Sequence, residues 1–201
     1  MDVRTLEGVR IDGIAACVPE TSVPNEEKVA KATGIVARRV AAKGETVADL
    51  CVRAAERALA DTASSPSDFG ALLCVTFTQH RRMPSVAAEA QARLGLPKGI
   101  LAFDVSLACS GWAYGLYLAG LLVRETGRKV LLLDGDVQSE FLDASDRDTA
   151  SLLSDAGTAT VLSPVPGSVP HAGSVPWRFA FVTDGAKGQA LELEHGGTIR
   201  M

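Results

Sequence analysis

The 201-residue sequence has no two cysteines in C-x-x-C spacing, which removes the usual signature of a zinc site or a dithiol redox centre. Its four cysteines, Cys17, Cys51, Cys74 and Cys109, each stand beside apolar neighbours and read as separate thiols. A cluster of Lys and Arg is missing too. With 20 basic against 24 acidic residues, a formal net charge of -4 and a pI near 5.4, the chain carries no electrostatic footprint for nucleic acid. Residues 1–10 alternate charged and apolar side chains without an apolar h-region, so no secretory signal is read and the expected compartment is the cytoplasm. No internal repeat is found. What is there is ordinary globular composition, 47% hydrophobic and 22% charged, enough for one domain over 1–201 with a substantial core.

One stretch competes with that reading. Val105 to Val123 holds no charged residue and is long enough to cross a bilayer on length alone. Gly111, Gly115, Gly120, the polar pair Cys109 and Ser110, and Asp104 just before the run argue instead for a helix buried in a protein core, with no membrane span. The runs Ala71 to Thr78, Ile100 to Val105 and Val130 to Asp134 are short and nearly continuously apolar, as central parallel strands covered on both faces would be. Between them lie helical patterns. Thr46 to Asp61 places Val47, Leu50, Cys51, Ala54, Ala55, Ala58 and Leu59 at helical spacing behind a Thr46/Asp49 capping box. A second helix is expected over Pro84 to Leu94, with Pro84 in its first turn and Gly95 and Pro97 ending it. Strand and helix alternate, so the expected class is an α/β layered sheet. Beyond it, Gly157 to Leu162 reads as a strand, Ser163 to Pro176 as a surface loop, and Arg178 to Thr183 and Ala190 to Glu194 as two further strands.

The segment that bears on chemistry is Phe103 to Gly115, FDVSLACSGWAYG, where a buried strand turns into the apolar helix with Cys109 at the junction. A thiol at a helix N-terminus faces unsatisfied backbone N–H groups and the positive end of the dipole, which favours the nucleophilic thiolate. The same N–H groups can hold an oxyanion, and acyl transfer from a thioester needs both features. Free cysteines are also commonly inert, small, buried hydrophobes, and local sequence leaves both readings of Cys109 open.

FDVSLACSGWAYG resembles the active-site segment of the ketoacyl-acyl-carrier-protein synthase III family, within the thiolase-like superfamily. Further segments resemble that family in the same order: ATGIVARRV (Ala32 to Val40), the entry at Pro84 to Ala87, Asp146 to Thr149, SDAGTA (Ser154 to Ala159) and the turn at Thr183 to Gly185. The resemblance spans nearly the whole chain. It implies a thiolase-like α/β fold, here the first half of a duplicated α-β-α-β-α architecture, with the C-terminal half not present in this chain. It implies a homodimeric acyltransferase in which Cys109 takes an acyl group from a coenzyme A or acyl-carrier-protein thioester. Condensation with malonyl-carrier protein to a 3-oxoacyl product would then use a His and an Asn from the missing half. Acyl transfer to a hydroxyl or amine, and a non-catalytic truncated partner subunit, are the alternatives. No metal and no permanently bound cofactor are implied; the coenzyme A or phosphopantetheine thioester is substrate.

By the same resemblance Arg147 corresponds to an arginine near the nucleotide end of coenzyme A, where a planar cation suits phosphate and adenine; an exposed ion pair with Asp146 or Asp148 is the other reading. Met83 stands where the family reaches across the dimer to bound the partner's acyl pocket, or else fills a core gap. Leu107 and Leu153 are weaker candidates for the same pocket wall. His80, His171 and His195 match no catalytic motif and are expected as loop residues. Lys28 and Ala32 stand where acetyl-coenzyme A-using members carry a Trp and an Arg, so a carrier-protein donor or a specialised pathway is expected.

Overall fold

The computed structural model describes residues 2–143, 146–165, 176–190 and 192–193. Its elements in chain order are β1 (Val3–Leu6), β2 (Val9–Cys17), β3 (Thr21–Pro24), α1 (Glu27–Thr33), β4 (Ala37–Val40), α2 (Val47–Asp61), β5 (Phe69–Val75), α3 (Val86–Arg93), β6 (Leu101–Val105), α4 (Gly111–Thr126), β7 (Lys129–Asp136), α5 (Arg147–Ala150), β8 (Ala156–Pro164) and β9 (Trp177–Ala180).

All seven residues of β5 are buried, and their two-residue period divides them between two cores. Leu72 and Cys74 join the cluster formed with α2 and α3, while Ala71, Leu73 and Val75 join the cluster formed with α4. Strands β6 and β7 flank β5 in parallel, and β8 and then β2 extend the sheet antiparallel beyond β7, in the order β2-β8-β7-β5-β6. The continuous apolar runs of β5 and β7 are thus strands with helices on both faces, whereas β6, expected to be covered likewise, is the edge strand and leaves Leu101 and Phe103 exposed.

Two close approaches set the spacing of these layers. A Cβ on Gly157 would lie 2.6 Å from the backbone N of Cys51 and from the carbonyl C of Leu50, so α2 rests directly on β8. On the opposite face, a Cβ on Gly115 would lie 2.8 Å from the tips of both Leu132 and Val75. Helix α2 begins at the expected capping box: the Thr46 hydroxyl accepts from Asp49 N–H, and the Asp49 carboxylate accepts from Thr46 N–H at 2.8 Å. Burial alone would raise the Asp49 acid, but the hydrogen bonds from Thr46 and Arg93 outweigh it and hold the carboxyl below its usual range.

Several expectations are corrected. Helix α3 starts at Val86 rather than Pro84, because the Ser85 side chain caps it by accepting from Ala88 N–H at 3.1 Å. The late strand stops at Ala180, where its pairing with β1 ends. Gly185–Ala190 is a 3-10 helix rather than the approach to a strand; residue 191 and residues 194–201 lie outside the described residues, as does most of the expected 163–176 loop. The first half of a five-layered arrangement is not what the described residues build. They form a five-stranded sheet with helices of this chain packed on both of its faces, beside the two-stranded pairs β1–β9 and β3–β4, a single α/β unit. The apolar run 105–123 is divided among the end of β6, a turn and most of the 16-residue α4. No helix among the described residues is long and apolar enough to cross a membrane.

Candidate active site

Strand β6 ends at Val105, and residues 106–110 turn the chain into α4, whose first helical residue is Gly111. Cys109 lies in that turn and is exposed, whereas Cys51 and Cys74 are buried and Cys17 is intermediate. The Cys74 thiol is pushed well above its usual range by its contact with Cys51 and by burial, which leaves it inert. Among the four cysteines, then, the structure separates an open thiol at a helix entrance from a buried pair. Gly111 is required here: a Cβ on it would lie 2.4 Å from a methyl of Val75 and 3.4 Å from Cβ of Leu107. Its N–H donates to Ala108 O at 2.6 Å, which tightens the turn, and the Ser110 side chain makes no capping bond. The first N–H groups of α4 are therefore not occupied by that side chain.

The remaining candidates are dispersed. Leu107, half-buried, packs on the α4-side core within the Cys109 turn. Met83 lies in the loop before α3 and is 82% exposed, so the core gap-filler reading of it fails. Arg147 is the first residue of α5 and Leu153, half-buried, follows that helix. Of the histidines, His80 lies in the same loop as Met83, while His171 and His195 fall outside the described residues. Lys28 and Ala32 are both exposed on α1.

The segments that looked like independent motifs meet in space. Arg38 Nη1 donates to Ala150 O at 2.5 Å and its Nε to Asn25 Oδ1 at 2.9 Å, while Asn25 Nδ2 donates to Ser151 O at 2.9 Å. Arg39 N–H donates to the Ser154 hydroxyl at 2.8 Å, and Asp155 N–H returns to Arg39 O at 2.9 Å. The buried Asp155 carboxylate accepts from Ala41 N–H at 2.7 Å and from Ser139 N–H at 2.9 Å. The 32–40 and 154–159 segments thus clamp the connection that bears Arg147 and Leu153.

Three further carboxylates, to which the sequence assigned no part in the site, complete its frame. Asp104, inside β6, accepts from Val86 N–H at 2.8 Å and Ala87 N–H at 2.7 Å and so ties α3 to the strand that leads to Cys109. Asp136 Oδ1 accepts from the Thr76 hydroxyl at 2.8 Å and Phe77 N–H at 3.0 Å and fixes the exit of β5. Burial raises the Asp136 acid, a rise that these bonds oppose; Asp134 is pushed up to about 6 by burial and then by the charge of Asp136. The available signal was an Asp inside an otherwise apolar strand, since such a carboxylate needs partners. Asp134 and Asp136 open on a cleft of about 400 Å³ lined also by Ile14, Trp112, Gln138 and Thr158. Trp112 follows Cys109 by three residues and donates to the Thr160 hydroxyl at 3.3 Å.

The model of the family 3-oxoacyl-[acyl-carrier-protein (ACP)] synthase III matches residues 103–186. A β-ketoacyl-[acyl-carrier-protein] synthase III of Deinococcus deserti is 39% identical over 78% of this chain and 47% of its own. One from Granulibacter bethesdensis is 36% identical over 95% of this chain and 64% of its own. The crystal structure of a 3-oxoacyl-(acyl-carrier protein) synthase from Burkholderia xenovorans superposes with a TM-score of 0.87 at 33% identity, covering 94% of this chain and 56% of that one. The chain spans about half the length of the curated relatives it matches first. The class these matches define is that of the thiolase-like acyltransferases. Within it, the chain is similar to the 3-oxoacyl-[acyl-carrier-protein] synthase III family of enzymes, whose model it matches over residues 103–186.

Three expectations change with these findings. Alignments that cover 94–97% of this chain run over 56–65% of the solved synthases, past their midpoint, so the expected N-terminal half with a boundary at the duplication is not kept. The assignment of part of the chemistry to a His and an Asn of a missing half is withdrawn with it. The reading as a non-catalytic partner subunit gives way to the similarity to a family of enzymes.

Proposed function

We propose that Cys109 is the acyl-accepting nucleophile of a 3-oxoacyl-[acyl-carrier-protein] synthase III-like reaction. The Cys109 thiolate attacks the carbonyl carbon of an acyl thioester; the new S–C bond forms and coenzyme A or the phosphopantetheine of a carrier protein leaves as its thiol. Malonyl-carrier protein then loses carbon dioxide, and the resulting carbanion displaces the Cys109 thiolate to give a 3-oxoacyl-carrier product. The observation that carries this reading is an exposed thiol in the turn between β6 and α4, inside the segment matched by the family model. Backbone N–H groups at that turn are suited to the negative charge of the tetrahedral intermediate.

Arg147 is proposed to hold the nucleotide end of a coenzyme A donor, with Met83, Leu107 and Leu153 bounding the acyl chain. Exposed Lys28 and Ala32 offer no aromatic or guanidinium surface for adenine, which favours a carrier-bound donor. A homodimer and a cytoplasmic location accompany this reading, with the thioester as substrate and no permanently bound cofactor. Incubation of the whole protein with acyl-coenzyme A and acyl-carrier protein should add the acyl mass in intact-mass spectra, and Cys109→Ala should abolish it. Acylation that persists in Cys109→Ala sinks the assignment.

A further inference from the structure

Strand β5 and helix α3 are joined by residues 76–85, and the tip of that loop carries Met83, more exposed than any other large apolar side chain among the described residues. Both ends of the loop are tied down. At the start, Thr76, Phe77 and Thr78 are bound to the Asp136 carboxylate; at the end, Ser85 caps α3 and Asp104 accepts from Val86 and Ala87.

A third attachment sits between these two. Arg81 Nε donates to His80 Nε2 at 2.8 Å, and Arg81 Nη2 lies 3.6 Å from Glu89 Oε2 on α3. His80 Nε2 itself is 3.1 Å from that same oxygen, with the two side chains only 15% and 21% exposed. Glu89 Oε2 and His80 Nδ1 are buried without a hydrogen-bond partner in the described structure. The second carboxylate oxygen, Oε1, is taken by Arg93 Nη1 at 3.1 Å, and Arg93 in turn reaches Asp49 on α2 at 2.9 Å. When Arg81 donates to it, His80 Nε2 presents a lone pair, and a lone pair so close to a carboxylate oxygen is repulsive unless a cation is shared between them. Arg81 is that cation. It stands two residues before Met83, so the charge that reconciles the buried acceptors also fixes the backbone that presents the methionine.

We propose that His80, Arg81 and Glu89 form a clasp that sets how far Met83 projects and thereby which acyl chain lengths the site accepts. This rests on the reading that Met83 bounds an acyl pocket. None of the three touches substrate; they are positioning residues, joined through Arg93 and Asp49 to α2, so the loop is registered against the same core that carries the sheet.

The test uses the whole protein with His80→Phe, which keeps a ring and removes the acceptor, and Glu89→Gln, which keeps the shape and removes the charge. Acylation of Cys109 by acetyl-, hexanoyl- and decanoyl-coenzyme A is measured alongside amide hydrogen exchange. Both variants are expected to change the ratio of kcat/KM between short and long acyl donors by roughly tenfold, mainly through KM, because pocket shape acts on ground and transition states alike. Exchange across 79–85 should quicken by about tenfold while that of α4 stays the same. Met83→Ala should shift the same ratio, and combined with His80→Phe it should add little further, as expected for residues acting through one another. An unaltered chain-length ratio despite faster exchange overturns the specificity role, and unaltered exchange overturns the clasp. A wild-type protein that accepts none of these acyl groups, offered either on coenzyme A or on acyl-carrier protein, refutes the proposed function and with it the chain-length role, while the exchange comparison still decides whether the clasp exists.

Discussion

Replacing Gly157 by Ala adds one methyl group at the tightest backbone contact between α2 and the sheet. That methyl would lie 2.6 Å from Cys51 N and Leu50 C and 2.7 Å from Leu50 Cβ, against about 3.4 Å for ordinary contact, so something must move by about 0.8 Å. The obstructing atoms belong to the backbone of a 15-residue helix that buries nine side chains, and no rotamer change can relieve them. Gly135, directly opposite in the β7–β8 register, offers no escape, since it is itself closed in by Ala156 O at 2.6 Å and Cys51 Sγ at 3.0 Å. Overpacking typically costs 1–3 kcal/mol, and displacing a whole helix belongs at or above the top of that range, so the expected loss is about 3 kcal/mol or more. Gly120→Ala is the internal comparison. Its methyl meets Leu6 Cδ2 at 2.2 Å, a nominally worse clash, but with the far end of a flexible side chain. The change also gains about 1 kcal/mol of helix propensity, so the expected net loss is about 1 kcal/mol or less. Urea denaturation followed by far-ultraviolet circular dichroism gives both values from midpoints at constant slope. Equal losses, or a larger one for Gly120→Ala, would refute the reasoning that backbone contact rather than nominal overlap sets the cost.

Asp104→Ala removes the acceptor for Val86 and Ala87 N–H and should cost about 2 kcal/mol in urea titrations, with Asp104→Asn losing less because one carbonyl oxygen remains. Thr46→Ala removes one side of the α2 capping box and should lower stability by about 1 kcal/mol, visible as a reduced Tm. Asp134, pushed up to about 6, binds its proton more tightly folded than unfolded, where a carboxyl titrates near 3.9. The contribution of Asp134 to stability should therefore fall as pH rises from about 4 through about 6, and the penalty should persist above that range. Asp134→Asn abolishes this dependence, and after discounting for the partly solvated carboxyl, the variant should gain about 1–2 kcal/mol on wild type between pH 4 and pH 8. Identical pH profiles would count against it.

The parts of this molecule legible in the sequence are those governed by neighbours along the chain. The capping box of α2 was visible because Thr46 and Asp49 are three residues apart, and β5 and β7 were visible because burial on both faces leaves no polar alternation; the run of β6 looked the same although its Leu101 and Phe103 are exposed at the sheet edge. The start of α3 was misplaced because Pro84 suits a first helical turn in general, whereas here the hydroxyl of Ser85 and the carboxylate of Asp104, 18 residues from Val86, decide where the helix begins. The partners of Arg38 and Asp155 were out of reach for the same reason: their contacts join segments 112 and 114 residues apart. Around Cys109 local order identified the turn and the helix, but only the fold shows that Cys109 is open to solvent while Cys51 and Cys74 are enclosed. The architecture was overstated as one half of a duplication because an α/β pattern does not reveal whether both faces of its sheet are already covered.

Gly111, Gly115 and Gly120 all face large neighbours, Val75, Leu132 and Leu6, so at these three positions α4 offers no side chain as a spacer, while Leu116, Ala119 and Val123 of the same helix fill the core between them. At the front of the helix, beside Cys109, the approach to the sheet is consequently set by Val75 on β5, which faces Gly111. Enlarging Val75 by a single carbon would raise the front of the helix, tilt the thiol outward, and retune the reactive atom from a residue that never meets the substrate. A family that keeps this turn while varying Val75 and Leu132 could adjust the depth of its nucleophile without altering the nucleophile itself.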